Sequence, residues 1–256
     1  MLGFARAVFY LNLGASLALL IRLGLCHLVR VYRWLKAYLL AYALAFLVTA
    51  PIPVRTRLYG NIYMLAEITN VILSILVVRE LIGLTLAGHP ALAVFGRKAV
   101  LYTMGLAGFA AFGGVMLDSA VLPGQSRFLH RFLTVERSLD FAILIFLLLI
   151  SGLVIWFPLK VRRNIVLYIS GFIVFYLSRT CGTLLANLLS PQFLNVINVA
   201  LMSFSFCCLI AWLSSLRREN EDTAEVVGHR WNPAAIERLS AQLDAINAAL
   251  VRFGRR

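Results

Sequence analysis

Glu67 and Arg179 each stand near the middle of a long apolar stretch, residues 58–87 and 164–189. Charged side chains in such surroundings are costly, and they mark ion pairs, proton relays or solute sites. Glu67 shares a helical face with Tyr63, Asn70 and Ser74, at spacings of four, three and four. Arg179 shares one with Tyr176, Thr183 and Asn187, at spacings of three, four and four. At about 1.5 Å per residue both charges lie about 14 Å below the outer boundary of their segments, so they are expected to pair. Asn12, Asp140, Asn187, Asn195 and Asn198 fall in the outer halves of their segments. A polar pocket open to the outside would gather such groups above the pair. Its ligand-binding candidates are Glu67, Asn70, Arg179, Thr183, Asn195 and Asn198. The same residues also fit a purely structural role, in which a salt bridge fixes register and asparagines bond across helices. Arg137 and Asp140, three apart, predict a local ion pair.

A second charged set lies toward the inner ends. Arg79 and Glu80 are adjacent in the third stretch and Arg22 closes the first. Glu80 is expected to pair with Arg22 while Arg79 reaches to the interface. No catalytic constellation accompanies either set. The sequence has no H-E-x-x-H, G-x-S-x-G, phosphate-binding or dinucleotide-binding glycine motif. The four cysteines and four histidines show no metal-ligand spacing, and no cofactor is expected.

The elements that must position these residues follow from composition. Of the 256 residues, 61% are hydrophobic and 14% charged, with a mean hydropathy of +0.88. Soluble domains carry about 25% charged residues, so the balance points to a polytopic membrane protein. About 20 apolar residues cross a bilayer. By that measure seven stretches qualify, roughly 7–28, 35–54, 58–87, 99–118, 136–157, 164–189 and 192–216. The fold class is therefore all-α, a bundle of seven transmembrane helices. Ten Lys and Arg against six favour an outside N-terminus and an inside C-terminus. The net charge of +13 belongs to these helix ends and not to a soluble basic face, which argues against nucleic acid as a partner.

Three units result: a membrane domain over 1–216, a polar linker over 217–232 and an amphipathic cytoplasmic helix over 233–256. In that last unit Ile236, Leu239, Leu243, Ile246, Leu250 and Phe253 recur at spacings of three and four. The stripe has three candidate occupants: the protein's own inner face or the bilayer, a second copy giving a homodimer, or a cytoplasmic partner.

Tyr32-Arg33-Trp34-Leu35, the stretch 65–81 (LAEITNVILSILVVREL) and the segment 238–247 (RLSAQLDAIN) give the chain a pattern that resembles seven-helix bacterial integral membrane proteins of acidobacterial type, a family with no assigned function. The resemblance implies the topology and a bacterial inner membrane location, and carries no activity or catalytic residue. The leading expectation is a sensory or regulatory membrane protein with an outward-facing polar pocket between helices three, six and seven. A small-solute transporter or channel, and a scaffold recruiting a partner through its tail, remain open. A membrane enzyme ranks below these.

Overall fold

The computed structural model describes residues 2–53, 56–117, 127–157, 159–188, 193–222, 224–226 and 233–253. Among the described residues the protein is all-α apart from one short strand pair. Helices α1 (Leu2–Leu25), α2 (Arg33–Thr49), α3 (Arg57–Thr85), α4 (Pro90–Leu117) and α5 (Arg127–Trp156) follow in order. After strand β1 (Lys160–Arg162) come α6 (Arg163–Leu188), α7 (Leu194–Ser215), α8 (Glu219–Asp222), strand β2 (Ala224–Val226) and α9 (Pro233–Phe253).

Five helices are long and apolar enough to cross a membrane among the described residues: Arg6–Leu25, Arg57–Thr85, Val135–Trp156, Arg163–Leu185 and Asn195–Ser215. Leu65, Leu106, Phe109 and Leu148 are among the large apolar side chains left exposed on the helix surfaces. An exposed apolar belt of this kind is stable in lipid and not in water. The chain is thus a membrane protein.

Contacts between helices define the arrangement. In sequence around a ring, α1 packs on α2, α2 on α3, α3 on α5, α5 on α6, α6 on α7, and α7 back on α1. α4 lies outside this ring, against α3 and α5, and α9 rests on α4. The end bearing the start of α1 is called here the head end, and the end bearing α8 and α9 the tail end. α4 and α5 begin at Pro90 and Arg127, ahead of the apolar stretches at 99 and 136, because helix formation continues into residues too polar to count toward a span.

The α6–α7 seam is built on two glycines. A Cβ on Gly171 would strike the Trp212 indole, and one on Gly182 would strike Leu201. Trp212 Nε1 donates to the Leu167 carbonyl at 3.3 Å. Cys207 and Ala211 of α7 are exposed and take no part in this seam. Large side chains of α7 fill hollows in α6 instead. On the other flank of α7, fully buried Asn12 of α1 donates to the Met202 carbonyl at 3.0 Å and so ties α1 to α7.

Candidate charge cluster and its relay

α6 brings Arg179 to a point where α3 and α5 converge. Its Nη2 donates to Glu67 Oε2 at 2.9 Å and its Nε to Asp140 Oδ2 at 2.5 Å. Nη2 also donates to Glu136 Oε1. Asp140 is 3% exposed and Glu136 8%. One guanidinium thus holds three carboxylates, which leaves two negative charges in excess when all are ionised. Among the described residues, the buried oxygens here that take no hydrogen bond include Glu136 Oε2, and Asn70 Oδ1 one turn beyond Glu67.

The helix faces explain the convergence. Glu136 and Asp140 lie four apart, and the same face of α5 continues through the buried Ile143, Leu147, Ile150 and Val154. Glu136 escaped the sequence reading because it stands at the first residue of its apolar stretch, where a carboxylate looks interfacial. The signal was available in that unbroken face. Asp140 turns to Arg179 and not to Arg137, since the guanidinium on α6 reaches it inside the bundle.

The pocket expected between helices three, six and seven is therefore a cluster between α3, α5 and α6. Asn195 and Asn198 stay outside it, exposed on the first turns of α7. The inward face of α7 becomes buried only from Ser205 onward, two turns further along. Thr183 Oγ1 is spent locally, donating to the Thr180 carbonyl at 2.9 Å. Asn187 lies in α6, but its side chain is outside the described residues.

Immediately beneath the cluster, Tyr176 donates its hydroxyl to Ser74 Oγ, and Ser74 donates to the Asn70 carbonyl at 2.7 Å. From there a column of rings descends along one face of α6. Phe172 lies 6.0 Å from Tyr176, 4.9 Å from Trp212 and 5.2 Å from Tyr168, measured between ring centres. Tyr168 meets Tyr32 edge-on at 5.4 Å.

Tyr32 opens onto a polar platform at the tail end. Its hydroxyl donates to Glu221 Oε2 at 2.8 Å, and Asn164 Nδ2 donates to the same oxygen at 3.1 Å. Arg162 Nη1 meets Glu221 Oε1 at 2.5 Å. Asn164 also brackets Arg217, donating to its carbonyl at 2.7 Å and accepting from its amide at 3.3 Å. Burial first, and the Glu221 carboxylate second, push the Tyr32 phenol above its ordinary range. Part of the stretch expected to be a linker is folded here, as α8 and as β2, which pairs antiparallel with β1.

Arg22 and Glu80 do not pair. Glu80 accepts from the Trp34 amide with both oxygens, at 3.3 Å, and so serves the first turn of α2. Arg22 Nε donates to the Leu216 carbonyl at the end of α7, at 3.1 Å. Each charge meets the end of a helix dipole of opposite sign, which satisfies backbone groups that an Arg–Glu pair would have left open.

The tail stripe is divided by its docking on α4. Leu243 is 3% exposed. Asn247 Oδ1 accepts from the amides of Ala91 and Leu92 at 3.0 and 3.3 Å. His89 Nε2 lies 3.5 Å from Asp244 Oδ1. Leu239 and Leu250 are half-buried, whereas Ile236 and Ile246 are exposed. No model of a protein family matches the chain, and no curated protein or solved structure is significantly similar to it.

Proposed function

We propose that the protein is a sensory or regulatory membrane protein in which the Arg179 cluster takes up a positive charge, as a proton or small organic cation, from the head end. The observation that carries this reading is the shared face of α6. Arg179, Tyr176, Phe172, Tyr168 and Asn164 lie three or four residues apart along it, with the charge cluster at one end and the Glu221 platform at the other. A change in cluster charge would alter how tightly α6 is held to α3 and α5. The ring column would pass that shift to Tyr32, Glu221 and the tail. The coupling energy would come from differential binding to two bundle states.

In this reading α2, with 17 residues, and α4 complete a bundle of seven crossings. α2 meets the lower end of the length needed. The head end faces outward, and the tail end with α9 lies in the cytoplasm, in keeping with the excess of Lys and Arg there. A bacterial inner membrane suits this arrangement. Single cysteines at Ser240 and Asn61, labelled with a membrane-impermeant maleimide from each side, check the orientation. Labelling of Ser240→Cys from outside reverses it.

The functional test is hydrogen exchange of the full chain in nanodiscs at pH 8 and pH 5. Lower pH is expected to change protection across 217–226 and 233–253, and Glu136→Gln at pH 8 is expected to shift it the same way. Tail protection indifferent to both would sink the reading.

A further inference from the structure

The three carboxylates around Arg179 are held in two ways. Asp140 meets Nε at 2.5 Å. Glu67 and Glu136 both receive their hydrogen bonds from Nη2. Two oxygens bonded to one nitrogen lie within about 6 Å of each other. The Glu136 carboxyl stands within hydrogen-bonding reach of the Glu67 carboxyl. Ionised carboxylates are acceptors only, so at this separation they repel unless a proton lies between them. Asp140 matches the guanidinium charge one for one, which leaves both surplus charges on the glutamate pair.

Glu136 adds a second feature. It is 8% exposed, and its Oε2 is sealed from solvent with no donor. A buried carboxylate oxygen left unbonded is costly. An organic cation relieves it only by placing a heavy atom about 3 Å away, in packed surroundings. Among the described residues no three His, Cys, Asp or Glu form a set that could hold a metal ion. A proton needs no room. The groups around the pair come from every neighbouring helix. On α3 the Tyr63 phenol lies within electrostatic reach of both glutamates. α6 adds Tyr176, whose hydroxyl is bonded to Ser74. α2 brings the phenols of Tyr38 and Tyr42 within reach of Glu67. α4 meets α5 here through Gly108 against Leu139, and its Arg97 and Lys98 lie toward the tail end. Arg137 stands about 100° around α5 from Glu136.

We propose that Glu67 and Glu136 share one exchangeable proton, and that this proton is the ligand of the cluster. The inference rests on the reading of the cluster as a site for positive charge and names the charge. The proton comes from water at the head end. It forms an O–H bond on one carboxyl and is accepted by the other, which takes the surplus from two negative charges to one. Asp140 stays ionised as the standing partner of Arg179.

Difference infrared spectra of the full chain in nanodiscs, pH 8 against pH 5 and with no solute but buffer, test this. The wild type is expected to gain the carbonyl stretch of a protonated carboxylic acid, which moves to lower frequency in deuterated water. Glu136→Gln and Glu67→Gln should each lose the whole of the same band, because one proton serves both side chains. Gln keeps the shape of Glu, and the amide band of the same spectrum reports whether each variant is folded. A band that falls by half in each variant means two protons held independently and overturns the proposal. So does a wild type with no band that either variant removes. The sensory reading fails separately: a shared band with tail protection indifferent to pH sinks that reading and leaves the shared proton standing. Tail protection that responds to pH without the band overturns the shared proton alone.

Discussion

Arg179 and its three carboxylates are unequal partners, and substitution should show it. Arg179→Met removes the only cation among them and leaves buried carboxylates facing one another. The expected cost is about 3–5 kcal/mol, read as a large drop in Tm in detergent. Glu136→Gln removes one of two surplus negative charges and keeps the shape of the side chain. It should cost under about 1 kcal/mol or stabilise. Equal losses for the two variants would contradict the charge count. At the other end of the ring column, Tyr32→Phe loses a hydrogen bond to a charged acceptor, worth about 1.5–3 kcal/mol. The folded-state phenol of Tyr32 titrates above the unfolded one, so its contribution is complete below about pH 10 and falls as pH rises beyond. Tyr32→Phe should therefore flatten the alkaline part of the stability profile. At this scale the sequence was informative wherever depth and spacing sufficed. Glu67 and Arg179 stood at matching depths in apolar surroundings. It failed where two residues competed for one partner, as with Asp140, which had a near arginine in sequence and a better one in space.

At the scale of single elements, helix ends decide most of what the sequence left open. Apolar length marked the long helices of the membrane domain, although α4 and α5 start ahead of their stretches, because hydropathy is a local property. It did not show that Glu80 would serve the start of α2 or that Arg22 would close α7, since both depend on which helix ends meet at the tail end. The turn after α1 offers a direct check. His27 has φ 55°, in the left-handed region that costs a side-chain-bearing residue about 1–2 kcal/mol. His27→Gly relieves that strain but frees the unfolded chain, so a net gain of about 0.5–1 kcal/mol in thermal unfolding is expected. A loss would mean that the imidazole makes a contact of its own. The docking of α9 gives a second check. Leu243→Asp places a charge in its buried face and should raise hydrogen exchange throughout 233–253 while leaving α6 and α7 protected.

At the scale of the whole molecule, one ring of helices holds two polar regions apart by a column of aromatic packing. Composition and segment lengths revealed the membrane class, since both sum over many residues. The ring order was not legible. It places α5 between α3 and α6 and displaces α4 to the outside, an arrangement set by which faces fit and not by the order of synthesis. The pocket assigned to helix seven went astray for that reason. The ring order also carries a prediction. Cysteines at positions 67 and 136, with the native cysteines replaced, should cross-link readily in membranes, whereas cysteines at 67 and 198 should not. The reverse pattern would require a different ring.

Asn247 lies 156 residues after Ala91, whose amide it receives. A ribosome adding about 5–20 residues per second needs about 8–30 s to cover that distance. Throughout that interval the amides of Ala91 and Leu92 in the first turn of α4 lack this acceptor, although the neighbours of α4 on α3 and α5 are made well before its end. A helix made late closes one made much earlier. A chain released before α9 would carry the helices of the ring and still expose an unfinished one to quality control.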